Sequence, residues 1–181
     1  MDELQQKLLL GIGGFIAGFI VRTFIPTRKE RFDIKAQQAR TSRELLDERQ
    51  AAYQAFSDAL RALQVTKGGG DRSAVEATYW QVRKTADVYF ARIDMIASYI
   101  RRGDIDPKSA AQDHMDDLVG IARKSLPEYY RVIGAIAQEY GFPKSDELTE
   151  GTTRNLRLLM QERMSALEYA EILRLWNLPV R

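Results

Sequence analysis

The one stretch of this chain whose residue types could do chemistry is Asp113-His114-Met-Asp116-Asp117, built around the single histidine of 181 residues. On a helix His114 and Asp117 stand three apart and Asp113 and Asp117 four apart, so imidazole and carboxylates share a face. Such a face could bind a metal or orient a general base. A di-iron bundle site needs two Glu-x-x-His motifs and further glutamates, which a single histidine cannot supply. A Ser-His-Asp triad would also need His114, and no nucleophile elbow is present. There is no cysteine, which excludes thiolate catalysis, thiolate metal ligands and disulfides. Gly11-Ile-Gly13-Gly14 and Gly68-Gly69-Gly70 are not phosphate cradles: neither the dinucleotide nor the Walker spacing is met. The reading is therefore of a protein that is not an enzyme, with no catalytic, metal or cofactor residue assigned. Asp113, His114 and Asp117 form a solvated helical face beside a turn.

The elements that would position this face are more informative than the face itself. Leu8 to Val21 reads LLLGIGGFIAGFIV, fourteen positions without a polar side chain or proline, and the apolar character continues to Ile25 ahead of Pro26. A secretion signal wants a basic front and a small-residue cleavage site, and neither is here. The run is apolar on all sides, unlike a core helix with a polar face. It reads as a transmembrane helix over about 6–25 within an anchor of residues 1–27, with Arg22 able to snorkel at its end. Gly11, Gly14 and Gly18 share one side of that helix and include a GxxxG match, Gly14 to Gly18. They form a packing face on which two membrane helices can approach closely.

Charge is unevenly spread. Residues 22–43 hold seven basic residues against Glu30 and Asp33, a net +5, while the whole chain carries +2. Positive flanks stay in the cytoplasm, so the expected topology is single-pass, N-terminus out, in a bacterial inner membrane, with the C-terminal domain cytoplasmic. Arg22, Arg28, Lys29, Arg31 and Lys35 are the expected topology and headgroup contacts. Proximity to the bilayer favours lipid over nucleic acid, and only Phe32 is available to stack on a base.

Beyond the anchor the chain is helix-patterned. Residues 28–45 read as a basic juxtamembrane helical stalk suited to a coiled coil, and residues 46–181 as a cytoplasmic helical bundle. The first helix is expected to run from Arg28 to about Val65, roughly 55 Å if continuous, with Leu46, Tyr53, Phe56, Leu60 and Leu63 as its stripe. Thr66 to Asp71 reads as a loop, because three glycines hold a helix poorly. Ser73-Ala-Val-Glu76 matches a capping box and starts a second helix. Its stripe is Val75, Tyr79, Val82, Ala86, Tyr89, Ile93, Ile96 and Ile100. Gly103 ends it, and Asp104 to Pro107 is a turn. A third helix from about Lys108 is expected to break or kink at Pro127, with Ser125 capping the restart, and to stop at Gly141. A fourth runs from about Thr152 to Trp176 with Leu156, Leu159, Met160, Met164, Leu167, Leu173 and Trp176 as its apolar side. No strand pattern is present.

The fold class is thus all-α: a single transmembrane helix followed by an antiparallel bundle of about four long helices. The plan resembles that of small prokaryotic single-pass proteins, a likeness of layout that transfers no residue. The expected function is a membrane-anchored interaction protein, acting as scaffold, adaptor or regulator. It would self-associate as a homo-oligomer in the lipid bilayer and present its bundle to a cytoplasmic protein partner. The alternative is a small membrane effector of toxin, holin-like or phage-exclusion type. Against a conducting pore, the anchor has no polar residue to line one. A metal-binding bundle enzyme is the third reading.

Overall fold

The structure, a computed structural model, describes residues 28–69, 71–143 and 153–178. The expected transmembrane helix, its face of Gly11, Gly14 and Gly18, and Arg22 lie outside the described residues. Among the described residues every regular element is helical, and no helix is long and apolar enough to cross a membrane. The chain divides into two units, Met1–Gln38 and Ala39–Arg181.

In the first unit the described residues are the opening turns of helix α1 (Arg28–Gly69). Residues 28–35 are all exposed there. The second unit is a helical bundle. It holds the rest of α1, α2 (Arg72–Arg102) and a continuous rod over 107–140. The rod consists of α3 (Pro107–Ala110), a π-helical segment (Ala111–Met115), α4 (Asp116–Gly120), a second π-helical segment (Ile121–Ser125) and α5 (Leu126–Tyr140). Two shorter helices follow, α6 (Arg154–Arg163) and α7 (Ala166–Leu175).

Side-chain pairs fix the directions. Thr66 meets Thr78 close to the α1–α2 connection and Glu48 meets Arg92 far from it, so these helices are antiparallel. Ser42 meets His114 and Lys67 meets Glu139, each pair 72 residues apart, so the rod runs parallel to α1. Asp94 holds Asn155 and Arg101 holds Glu162, each pair 61 apart, so α6 runs parallel to α2. The result is up, down, up, down.

The α2 stripe forms the centre of the core as its spacing requires: Val75, Tyr79, Val82, Ala86, Ile93 and Ile96 are all fully buried. Each large aliphatic among them contributes about 1.5–3 kcal/mol of transfer free energy. Phe56, Tyr89, Phe90 and Tyr129 form an aromatic cluster with neighbouring ring centroids 5.2–5.9 Å apart. Burial there pushes the Tyr89 phenol up to about 12 and raises that of Tyr129 as well. Gly103 and Gly141 end their helices at φ 77° and 68°, conformations that favour glycine.

Five local expectations are corrected. Helix α1 does not stop before the glycines but continues to Gly69. Its last turn is held by the Thr66 hydroxyl, which donates to Ala62 and Leu63 carbonyls, and by the Lys67–Glu139 ion pair at 2.7 Å. The cap of α2 is Asp71, whose carboxylate accepts from Ser73 N–H at 3.0 Å, so Ser73 is already inside the helix. The buried side of α1 runs through Ser42, Leu45, Phe56, Ala59 and Leu63, while Tyr53 is exposed. Small residues on that side allow close helix approach, and a stripe drawn only through large apolar residues misses them. The rod does not break at Pro127: Ser125 has helical backbone and makes no side-chain cap. A π-helical turn ahead of the proline takes up the strain instead.

The last correction concerns the fourth long helix, which is two short ones. The chain turns at Met164–Ser165, and Ser165 and Glu168 form a reciprocal capping box that starts α7. Leu167 is exposed as a consequence, and Ile172 and Leu173 do the burying.

Candidate functional site

The first π-helical segment of the rod carries His114 inward. A π turn adds a residue to the helical repeat and so rotates the side chains that follow, and such turns often sit where a side chain must be aimed. His114 is 1% exposed and Ser42, across on α1, is 2% exposed. His114 Nε2 and Ser42 Oγ lie 3.0 Å apart. The hydroxyl can rotate to donate or accept, so it suits either neutral tautomer. His114 Nδ1 is buried with no hydrogen-bond partner.

About two turns further along α1 and one along the rod, Arg49 and Asp117 form an ion pair at 2.7 Å. Arg49 is largely covered and Asp117 largely exposed. Burial, and after it the Arg49 guanidinium, lower the His114 imidazole below its ordinary 6.5; Asp113 and Asp117 oppose this without cancelling it. His114 is therefore neutral at pH 7, and the Asp117 carboxylate is engaged by Arg49.

Asp113, His114 and Asp117 thus part company. His114 turns into the core, Asp117 reaches Arg49, and Asp113 and Asp116 are exposed. Among the described residues no three histidine, aspartate or glutamate side chains gather closely enough to hold a metal ion. No substrate can approach an imidazole this covered in this conformation. The arrangement can tie α1 to the rod and can register a proton. Sequence reasoning missed Ser42 and Arg49. The signal that finds them is the α1 stripe followed backwards at steps of three and four from Phe56, through Ala52, Arg49 and Leu45 to Ser42.

The second π-helical segment has a different partner. There the Leu126 N–H bonds to the carbonyl of Ile121, one residue further back than in an α-helix. Pro127 has no N–H to give. The carbonyl of Ala122 is thereby left over, and the indole N–H of Trp176 donates to it at 2.7 Å. Trp176, 3% exposed, pins the end of α7 to the rod.

A third polar junction starts α6. Its own N-cap, Thr153, makes no side-chain hydrogen bond. Asp94 of α2 does the work: Oδ1 accepts from Asn155 N at 2.7 Å and Leu156 N at 2.9 Å, and Oδ2 accepts from Asn155 Nδ2 at 2.8 Å. A carboxylate at a helix N-terminus also complements the helix dipole.

Of the expected headgroup contacts, Arg28, Lys29, Arg31 and Lys35 lie on α1 and are exposed. Comparison with known proteins gives no match, whether to a family profile, a curated protein or a solved structure.

Proposed function

We propose that this chain is a membrane-tethered interaction protein. Residues 1–27 act as a single-pass anchor with the N-terminus outside, and the helical bundle is held at the cytoplasmic face of a bacterial inner membrane to engage a protein partner. The chain self-associates in the bilayer through Gly11, Gly14 and Gly18. The observation that carries this reading is the uncharged run Leu8–Val21 set directly against the +5 segment of residues 22–43. The inward turn of His114 and the engagement of Asp117 by Arg49 support it, because they commit the chain's one reactive constellation to packing.

Alkaline washing of membranes tests the anchor. The full chain is expected to stay with the lipid, and its release overturns the reading. In detergent, a multimer that weakens in Gly14→Leu/Gly18→Leu supports association through the glycine face, and an unchanged multimer removes it. Overexpression with a potential-sensitive dye separates an interaction protein from a membrane effector: an intact potential is expected here.

A further inference from the structure

The opening turns of α1 sort their charges by side. At 100° per residue, Arg28, Arg31, Phe32 and Lys35 fall at i, i+3, i+4 and i+7 and share one face of the helix. Glu30 and Asp33, the two acidic residues of the stretch, fall together on the other side, and Lys29 lies about 60° beyond Phe32. Phe32 sits at the edge of the basic face, about 40° around the axis from Arg28, with 73% of its surface exposed. Ile34, the other exposed apolar residue here, is 49% exposed and lies about 200° around the axis from Phe32.

We propose that Arg28, Arg31, Phe32 and Lys35 form a seat for an anionic bilayer surface: the three cations contact lipid headgroups and the Phe32 ring enters the headgroup–acyl boundary. Two observations select a bilayer as the occupant. The charge is complementary to acidic phospholipid, and the apolar run ends at Ile25, three residues before the face begins. A ring flanked by cations and facing away from acids is the arrangement an interfacial helix needs. The proposal takes the anchor as the reason the helix meets a membrane. It goes beyond the anchor by naming Phe32 as the side chain that enters the lipid.

The absence of cysteine makes the test direct. A spin label is placed at Phe32→Cys or Ile34→Cys in the full chain and reconstituted in vesicles with or without about one third phosphatidylglycerol. In anionic vesicles the label at 32 is expected to collide with lipid-dissolved oxygen and to be shielded from a water-soluble nickel chelate; the label at 34 shows the reverse. In zwitterionic vesicles both stay in water. Each cation at an anionic surface is worth about a fivefold preference, so Arg28→Gln/Arg31→Gln/Lys35→Gln lowers the seated-to-free ratio of the label at 32 by about a hundredfold. Lys29 borders Phe32 on the side away from Arg28, and Lys29→Gln lowers that ratio by no more than about fivefold.

Equal exposure of both labels to water in anionic vesicles overturns the proposal, as does immersion at 34 instead of 32 or immersion without anionic lipid. So does an oligonucleotide that protects the label at 32 while vesicles do not. Alkaline extraction of the same vesicles keeps the two readings apart. A chain that resists alkali while the label at 32 stays aqueous sinks this inference alone. One released by alkali whose label is immersed at neutral pH upholds the seat and sinks the anchor.

Discussion

The rod slips out of α-helical register twice, and the two slips are satisfied differently. At Ile121–Ser125 the cause is visible in the chain: Pro127 cannot donate, one carbonyl is orphaned, and the indole of Trp176 closes the account at 2.7 Å. At Ala111–Met115 no proline follows. The slip turns His114 into the core, where Ser42 meets one ring nitrogen and the other has no partner. A helix irregularity is thus inert where a second element completes its hydrogen bonds. It is responsive to pH where the group it buries is titratable and only half satisfied.

The largest test of this contrast is at Trp176. Trp176→Ala removes a buried indole and is expected to cost about 3–5 kcal/mol by chemical denaturation. Trp176→Phe keeps most of the apolar volume but strands the Ala122 carbonyl, at about 1–3 kcal/mol. In a Pro127→Ala background the backbone regains an N–H, so Trp176→Phe is expected to cost less there. An equal cost in both backgrounds would break the link between the proline and the indole.

At the other slip, Ser42→Ala leaves His114 Nε2 without its partner, for an expected loss of about 1–2 kcal/mol. Replacing both partners, Ser42→Ala with His114→Leu, is expected to cost less than Ser42→Ala alone, since no polar atom is then stranded. A larger loss in the double variant would mean that the imidazole does more than answer the serine.

Acid should discriminate between the slips as well. The folded-state value of His114 lies below 6.5, so the unfolded chain binds the proton more readily. The contribution of neutral His114 to stability is fully present above 6.5 and is lost as pH falls from there toward the lowered folded value. Urea midpoints measured between pH 7.5 and 5 are expected to fall in the parent and to flatten in His114→Leu, while Trp176→Phe keeps the parental slope. The smallest effect is at the neighbouring ion pair. Asp117→Asn costs under about 1 kcal/mol at pH 7, because that carboxylate is mostly in water. It removes a charge that raises the His114 value, so the acid loss should steepen; a shallower slope would contradict the electrostatics assigned to the site.

Much of this was legible in the chain, for reasons that can be named. The α2 stripe was readable because eight of its ten buried positions recur at steps of three and four over 31 residues; Phe90 and Ala97, beside stripe members, widen it. Gly103 and Gly141 were readable as stops because only a left-handed turn uses glycine there. The glycines after Lys67 misled, since tertiary pairs from α2 and the rod outweigh poor local propensity. Ser165 and Glu168 carried a capping box that the continuous apolar pattern around them obscured. The site was the least legible part. Asp113-His-Met-Asp-Asp looks solvated as a string of acids, and the signal that His114 is interior is its place four residues from buried Ala110 and Leu118 on either side.

The carboxylate of Asp94 has a consequence for the order of assembly. Helix α6 has ten residues, too few to persist alone in water, and the acceptor for its first amides belongs to a helix 61 positions upstream. Its nucleation is therefore favoured by docking: until α2 is in place, only water receives those N–H groups. In native-state hydrogen exchange the amides of Asn155 and Leu156 should open before the centre of α2, and Asp94→Ala should release α6 while α2 keeps its protection. This last hairpin is a late passenger that reports, by its own melting, whether the three elements before it have closed.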